Sequence, residues 1–170
     1  MSKIVKIGFP LLILFSLLSC SGKNANELMN EGNKFIKEKK YSEAAAIFKK
    51  IVDEFPESDL TPEAMFELAK LYQGKVLKDI DENESLRKAV RYYKLIFEKF
   101  PGAKEAPSAL FMAGFIEANE LHDLEAAKKT YNLYLENFPN GELADDAKIE
   151  LANLGKSPEE ILMEKLKNSK

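Results

Sequence analysis

Apolar residues recur every three or four positions along most of the chain beyond residue 26, which is the spacing of one buried face of an α-helix. The pattern predicts helices at 26–39, 41–55, 62–74, 85–99, 106–120 and 123–138. A seventh helix, predicted at 142–153, carries an apolar stripe with acids opposite. In the last segment, 155–170, Ser157 as N-cap and Pro158 at the first helical position predict one more short helix, at 161–167.

The second helix of each of the first three predicted pairs carries the same three residues at the same spacing. An alanine stands twelve residues before a proline, and an aromatic residue follows that alanine by four. The sets are Ala44, Phe48 and Pro56, then Ala89, Tyr93 and Pro101, then Ala127, Tyr131 and Pro139. This order is the second half of the tetratricopeptide pattern, in which a small residue lets two helices approach and proline ends the second one.

The repeats predict an all-α fold, a tetratricopeptide-type α-solenoid over 27–154. Its three hairpins span about 26–57, 62–101 and 106–139, and the helix at 142–154 caps the stack. In the first helix of the third pair, Glu117 stands where an aromatic residue is expected, which predicts a looser hairpin. The second pair has about eight additional residues in 73–85. They fit either a longer helix pair with a solvated turn or a functional insertion.

The first twenty residues have the proportions of an export signal rather than a membrane span. Two lysines precede an apolar run that is shorter than the roughly 20 residues a spanning helix needs. The run ends at Cys20, the only cysteine, in a setting that resembles the lipobox of bacterial lipoproteins. The prediction is a signal peptide at 1–19, lipidation of Cys20 and a tether at 20–26. The alternatives are an ordinary secretory signal with an incidental cysteine, or an anchor that is not removed.

Removal of 1–19 would take away two lysines and leave 23 basic residues against 28 acids, a formal charge of −5. Such a balance gives no electrostatic reason to expect a nucleic acid partner. The only histidine, His122, falls in a predicted turn. The acidic segment 79–84 lacks the glycine and the terminal glutamate of a calcium loop. The sequence therefore predicts no enzyme, no metal and no cofactor.

The segment from Tyr41-Ser42-Glu43-Ala44-Ala45 to Phe55-Pro56-Glu57-Ser58 resembles the hairpin of the tetratricopeptide lipoproteins of bacterial envelopes. Two branches fit, the barrel-assembly lipoproteins (BamD/YfiO-like) and the Tol-Pal coordinators (YbgF/CpoB-like). The resemblance implies a non-catalytic scaffold, lipid-anchored to the outer membrane and facing the periplasm, that acts in outer-membrane protein assembly. The alternative is a Tol-Pal or peptidoglycan-associated accessory. Barrel-assembly lipoproteins usually have five hairpins, and three are predicted here.

The resemblance also implies a partner site, because the first helices of tetratricopeptide hairpins line a concave groove. The residues in these positions are Met29, Asn33, Ile36, Phe66, Lys70, Gln73, Phe111, Phe115 and Asn119. A groove with several large apolar side chains suits a helix or an extended segment of an envelope protein. The alternative is that the aromatic rings bury against the neighbouring hairpin or the C-terminal helix.

Overall fold

The computed structural model describes residues 23–168, and within that range the chain forms eight α-helices and no strand. The helices are α1 (Ala25–Lys37), α2 (Tyr41–Glu54), α3 (Thr61–Gln73), α4 (Glu82–Lys99), α5 (Ala106–Asn119), α6 (Leu124–Asn137), α7 (Ala144–Asn153) and α8 (Pro158–Asn168). None of these helices is long and apolar enough to cross a membrane. The predicted signal peptide at 1–19 and the lipidation site Cys20 lie outside the described residues.

Local side-chain chemistry sets where the helices begin and end. Asn24 accepts a hydrogen bond from the backbone N–H of Glu27, whose side chain accepts from that of Asn24, and so forms a capping box at the start of α1. Helices α2, α4 and α6 are each followed by a phenylalanine C-cap and then a proline; the C-caps are Phe55, Phe100 and Phe138. Each of these phenylalanines donates the last helical hydrogen bond, and the next residue has no N–H to continue the helix.

Each helix from α1 to α6 packs against the next one along the chain, so α1–α2, α3–α4 and α5–α6 are antiparallel hairpins stacked in order. Helix α3 also contacts α5, which makes the first helices of the second and third hairpins neighbours on one side of the stack. This arrangement is an all-α, tetratricopeptide-like solenoid, and the fold prediction is confirmed. We keep the name that the sequence prediction gave it, the concave face, for the side formed by the first helices.

The core of each hairpin is an aromatic ring packed over a small residue on the facing helix. The rings of Phe48, Tyr93 and Tyr131 are at most 1% exposed. A Cβ atom built on Gly32 would lie 2.5 Å from Phe48, and one built on Gly114 would lie 2.9 Å from Tyr131. Burying each ring contributes about 2–3 kcal/mol. The alanine–aromatic spacing in the sequence therefore marks where the two helices of each hairpin pack closely together.

The additional residues of the second hairpin form a turn and lengthen α4. Helix α4 has 18 residues and begins at Glu82, three residues before the predicted start. Asp81 caps it by accepting hydrogen bonds from the N–H groups of Asn83 and Glu84. Ser85 is buried and donates its hydroxyl hydrogen to the carbonyl oxygen of Tyr72, which fixes the lengthened helix to the end of α3. The segment 74–81 is the turn that remains.

The C-terminal end of the stack exposes more apolar surface than the sequence predicted. Helix α7 packs on α6 through Ala144 and Ala147, as its apolar stripe predicts. Its opposite side carries acids but also Ile149, which is 55% exposed. Helix α8 does not pack along its length on any neighbour within residues 23–168. Its Leu162 and Met163 are 58% and 63% exposed.

Candidate functional site

The predicted groove residues occupy equivalent positions in the three first helices, and the structure separates them by exposure. Met29, Phe66 and Phe111 stand three residues before the small residue of each hairpin. Met29 is only 5% exposed and lies in the core formed by α1, α2 and α3. The inclusion of Met29 in the groove was therefore wrong, because the flexible thioether side chain fills a gap between helices instead of facing solvent.

Phe66 and Phe111 are half-buried, and each contacts the second helix of its own hairpin. The Phe66 ring lies edge-on to Tyr93 with ring centroids 5.3 Å apart. The Phe111 ring lies 5.7 Å from Tyr131 and 6.2 Å from Tyr134. Part of each ring thus packs against the second helix of its own hairpin, whereas the alternative interpretation placed the rings against the neighbouring hairpin or the C-terminal helix. The rest of each ring remains accessible on the surface.

A second row of residues on the first helices stands one position after the small residue of each hairpin. This row is more accessible than the row of Met29, Phe66 and Phe111. It consists of Asn33, Lys70 and Phe115. Lys70 is exposed and donates to Glu67 at 2.9 Å, whereas Asn33 and Phe115 are half-buried. Phe115 belongs to none of the core clusters among the described residues. Phe115 is the one aromatic residue in this row, and part of its ring is accessible.

The remaining predicted positions lie toward the C-terminal ends of the same helices. Ile36 is half-buried and packs against the core of the first hairpin. Gln73 is half-buried, and its side-chain oxygen accepts a hydrogen bond from the hydroxyl of Tyr93 at 3.0 Å. Asn119 is exposed and donates to the carbonyl oxygen of Phe115 at 3.1 Å. These side chains give the concave face polar groups beside its aromatic rings.

An open pocket of about 610 Å³ lies between the ends of α5 and α7. Its lining includes Ala118, Asn119, His122, Glu150, Asn153 and Ile161. His122 is exposed in a turn with a positive φ of 53°, so the prediction of an exposed turn residue is confirmed. The sequence interpretation missed Glu150 and Asn153 because it treated α7 only as a cap. Asn153 follows Phe115 by 38 residues, the same distance that separates Pro139 from Pro101, so the repeat spacing could have revealed them.

In the third hairpin Glu117 forms a hydrogen-bonded network at the position where the second hairpin has two stacked aromatic rings. In the second hairpin Tyr72 stacks on Tyr92 with ring centroids 5.8 Å apart. The equivalent residues in the third hairpin are Glu117 and Thr130, and the Thr130 hydroxyl donates to Glu117 at 2.6 Å. The other carboxylate oxygen of Glu117 accepts from Lys94, also at 2.6 Å. The third hairpin was predicted to be looser here, but this network replaces the missing ring contact.

The hydroxyl of Tyr131 is buried and has no hydrogen-bond partner. Burial raises the pKa of Tyr131, so the group stays protonated and remains a donor without an acceptor. The equivalent Tyr93 donates to Gln73, and the position equivalent to Gln73 in the third hairpin is Ala118. A buried unpaired hydroxyl costs about 1–3 kcal/mol. The unpaired hydroxyl of Tyr131 is therefore expected to lower the stability of the third hairpin.

Replacing Ala118 with glutamine is expected to raise the free energy of unfolding by about 1 kcal/mol, because the new side-chain oxygen can accept from Tyr131. Ala118 lines the pocket, so the larger side chain has space. Urea unfolding followed by circular dichroism measures the change. In a Tyr131→Phe background the same substitution should give no gain. An equal gain in both backgrounds would contradict the proposed hydrogen bond.

The described residues show no metal-binding arrangement. Among residues 23–168, no three His, Cys, Asp or Glu side chains form a group that could hold a metal ion. Asp145, at the start of α7, pairs with Lys148 at 2.8 Å. The concave face combines aromatic edges with amides and a lysine.

Comparison with known proteins identifies the family. Residues 21–157 match the YfiO family, which is described as outer membrane lipoprotein. The outer membrane protein assembly factor BamD of Pasteurella multocida (strain Pm70) is 26% identical over 175 aligned positions, which cover 89% of this chain. The chain spans 64% of the length of that relative. Because the match to the family extends over most of the sequence, the chain belongs to the YfiO family of outer membrane lipoproteins.

Proposed function

We propose that this protein is a non-catalytic adaptor in outer-membrane protein assembly, and that it binds a segment of another envelope protein along its concave face. Membership of the YfiO family and similarity to an assembly factor support this role over a Tol-Pal or cell-wall accessory role. The observation that carries the proposal is the row of accessible groups on the first helices, Asn33, Lys70 and Phe115, which ends at the Phe115 ring.

The proposed anchor is lipid on Cys20. An outer membrane lipoprotein needs an acylated cysteine, and the mature chain offers only this one. Each buried methylene contributes about 0.8 kcal/mol, so two or three acyl chains hold the protein durably at the membrane surface. The residues from Cys20 to Asn24 then serve as the tether, because Ala25 and Asn26 already belong to α1, and the solenoid faces the periplasm.

The proposed ligand is an extended or helical segment with apolar side chains at regular spacing. The exposed edges of Phe66 and Phe111 and the ring of Phe115 provide apolar contacts along two adjacent first helices. Asn33, Lys70 and Asn119 can bond main-chain or acidic groups of the segment. The pocket between α5 and α7 lies beside Asn119, where the groove reaches the C-terminal end of the stack.

Photocrosslinking in living cells tests the groove. A photoreactive amino acid replaces Phe66, Phe111 or Phe115 in the full-length lipoprotein, and adducts are identified by mass spectrometry. The matched control is Ala46, an exposed residue on a second helix. Adducts with barrel-assembly components or outer-membrane proteins at the groove positions, and none at Ala46, are expected. Equal adducts at all positions, no adduct, or adducts confined to Tol-Pal or cell-wall proteins would contradict the proposal.

A further inference from the structure

A pocket of about 220 Å³ lies between the second helices α4 and α6, apart from the concave face that the first helices form. Its apolar lining consists of Phe97 on α4, Leu133 on α6 and the buried Leu110 on α5. An apolar cavity of about 150 Å³ is large enough to hold a benzene ring. The pocket between α4 and α6 therefore has room for one aromatic side chain.

The equivalent place between the second helices α2 and α4 is occupied by a ring of the chain itself. Thr130 lines the pocket, and the residue 38 positions before it is Tyr92. This distance is the one between the prolines that follow α4 and α6. Tyr92 is half-buried, stacks on Tyr72 and packs against the core clusters on both sides of it. The smaller Thr130 side chain, which bonds to Glu117, does not fill the corresponding space.

The apolar residues of the pocket correspond one by one to residues that pack with Tyr92. Phe97 corresponds to Val52 and Leu110 to Met65, each 45 residues earlier, and Leu133 corresponds to Leu95, 38 residues earlier. Val52, Met65 and Leu95 belong to the same core cluster as the Tyr92 ring. The walls of the pocket are thus the counterparts of the walls that enclose an aromatic ring in the preceding repeat.

The charged residues of the pocket correspond to those around the Tyr92 hydroxyl. Burial raises the pKa of Tyr92, and the charges of Lys49, Asp53 and Arg91 also act on it, so these groups lie near the hydroxyl. At the distances of 45 and 38 residues, their counterparts in the pocket lining are Lys94, Glu98 and Lys129. Two cations and one anion therefore stand at both places in the same order.

We propose that the pocket between α4 and α6 binds a tyrosine side chain of a partner protein, in the way that the preceding repeat holds its own Tyr92. The ring lies against Phe97 and Leu133, over Leu110, and the hydroxyl faces the ammonium group of Lys129. Lys129 is exposed and forms no ion pair with the part of the chain that the structure describes, so it can donate to the hydroxyl. The site does not depend on what binds to the concave face.

Titration with a tyrosine analogue tests the pocket. The full-length lipoprotein in detergent micelles carries isotope-labelled leucine methyl groups, and the nuclear magnetic resonance signal of Leu110 reports on the pocket. N-acetyltyrosinamide is expected to shift this signal saturably, because the ring current of a bound ring acts on nearby methyl groups. N-acetylalaninamide has the same amide groups without the ring and is expected to leave the signal in place. No shift with the tyrosine analogue, or an equal shift with both compounds, overturns the proposal.

Three variants test where the ring binds. Thr130→Tyr places a ring of the chain in the pocket, and Leu133→Trp narrows the pocket without changing the partners of Glu117. Each is expected to weaken the binding of N-acetyltyrosinamide by about tenfold or more, because less apolar surface remains to be covered. Leu124→Trp is the matched control on the same helix, since Leu124 is 41% exposed and Leu133 is 37% exposed. Unchanged affinity in Leu133→Trp, or an equal loss in Leu124→Trp, overturns the proposal even if Thr130→Tyr fails to fold.

Photocrosslinking from position 133 tests the partner in living cells. A photoreactive amino acid replaces Leu133 in the full-length lipoprotein, and mass spectrometry identifies the linked residue of the partner. Adducts at a tyrosine or at its immediate neighbours are expected, and Thr130→Tyr should abolish them. The same variant should leave adducts from Phe115 unchanged, which separates this site from the concave face. No adduct, adducts remote from any tyrosine, or adducts that persist in Thr130→Tyr would contradict the proposal.

Discussion

Replacement of Gly32 by alanine is expected to lower the free energy of unfolding by about 3 kcal/mol, the upper part of the usual range for overpacking a core. The added Cβ would lie 2.5 Å from Cε1 and 2.9 Å from Cζ of Phe48. The ring is rigid and completely buried, so it cannot move aside without displacing α2 from α1. Urea denaturation followed by circular dichroism measures the loss.

Two comparisons separate this clash from the general cost of changing a glycine. Gly102 lies in a turn where an added Cβ meets nothing within 4 Å, so Gly102→Ala should change stability by less than about 0.5 kcal/mol. Phe48→Leu in the Gly32→Ala background should recover part of the loss, because the smaller side chain leaves room. Equal effects at Gly32 and Gly102, or no recovery, would show that the ring contact is not the cause.

The hairpins could be predicted from the sequence because their signals are local. The proline after each second helix and the alanine–aromatic pair before it act within about a dozen residues, and the structure places all three helix ends there. The start of α4 was misplaced for an equally local reason. Asp81 is a capping residue, but it stands in a run of acids that provides no apolar periodicity to mark the helix start.

The details of the concave face depend on contacts between helices, which sequence position alone does not give. Met29, Phe66 and Phe111 are equivalent in the repeat, yet only Met29 is fully buried. The role of Glu117 depends on Lys94, which comes from the preceding hairpin. A comparison of equivalent positions in pairs, Tyr72 with Tyr92 and Glu117 with Thr130, would have pointed to a polar replacement.

Replacement of Lys94 by methionine is expected to lower the free energy of unfolding by about 2 kcal/mol, because it leaves the carboxylate of Glu117 buried without its counter-charge. Glu117 is only 4% exposed, and its remaining partner is the Thr130 hydroxyl. Breaking a buried ion pair usually costs more, but the Lys94 side chain is 34% exposed, and water can reach the site in part. Urea denaturation at neutral pH measures the loss.

Two further variants identify the buried charge as the cause. Lys104 is 80% exposed and has two acidic neighbours at 3.5 and 3.6 Å, so Lys104→Met should cost less than about 0.5 kcal/mol. In the Lys94→Met background, Glu117→Leu should restore stability to within about 1 kcal/mol of the unsubstituted chain, since an apolar pair of similar volume can replace a buried ion pair. The Thr130 hydroxyl, which donates to Glu117 in the unsubstituted chain, could then donate to the carbonyl oxygen of Ala126, which lies 3.0 Å away. If the double variant is less stable than Lys94→Met, the network contributes through geometry that leucine cannot reproduce, and the unpaired charge is not the source of the loss.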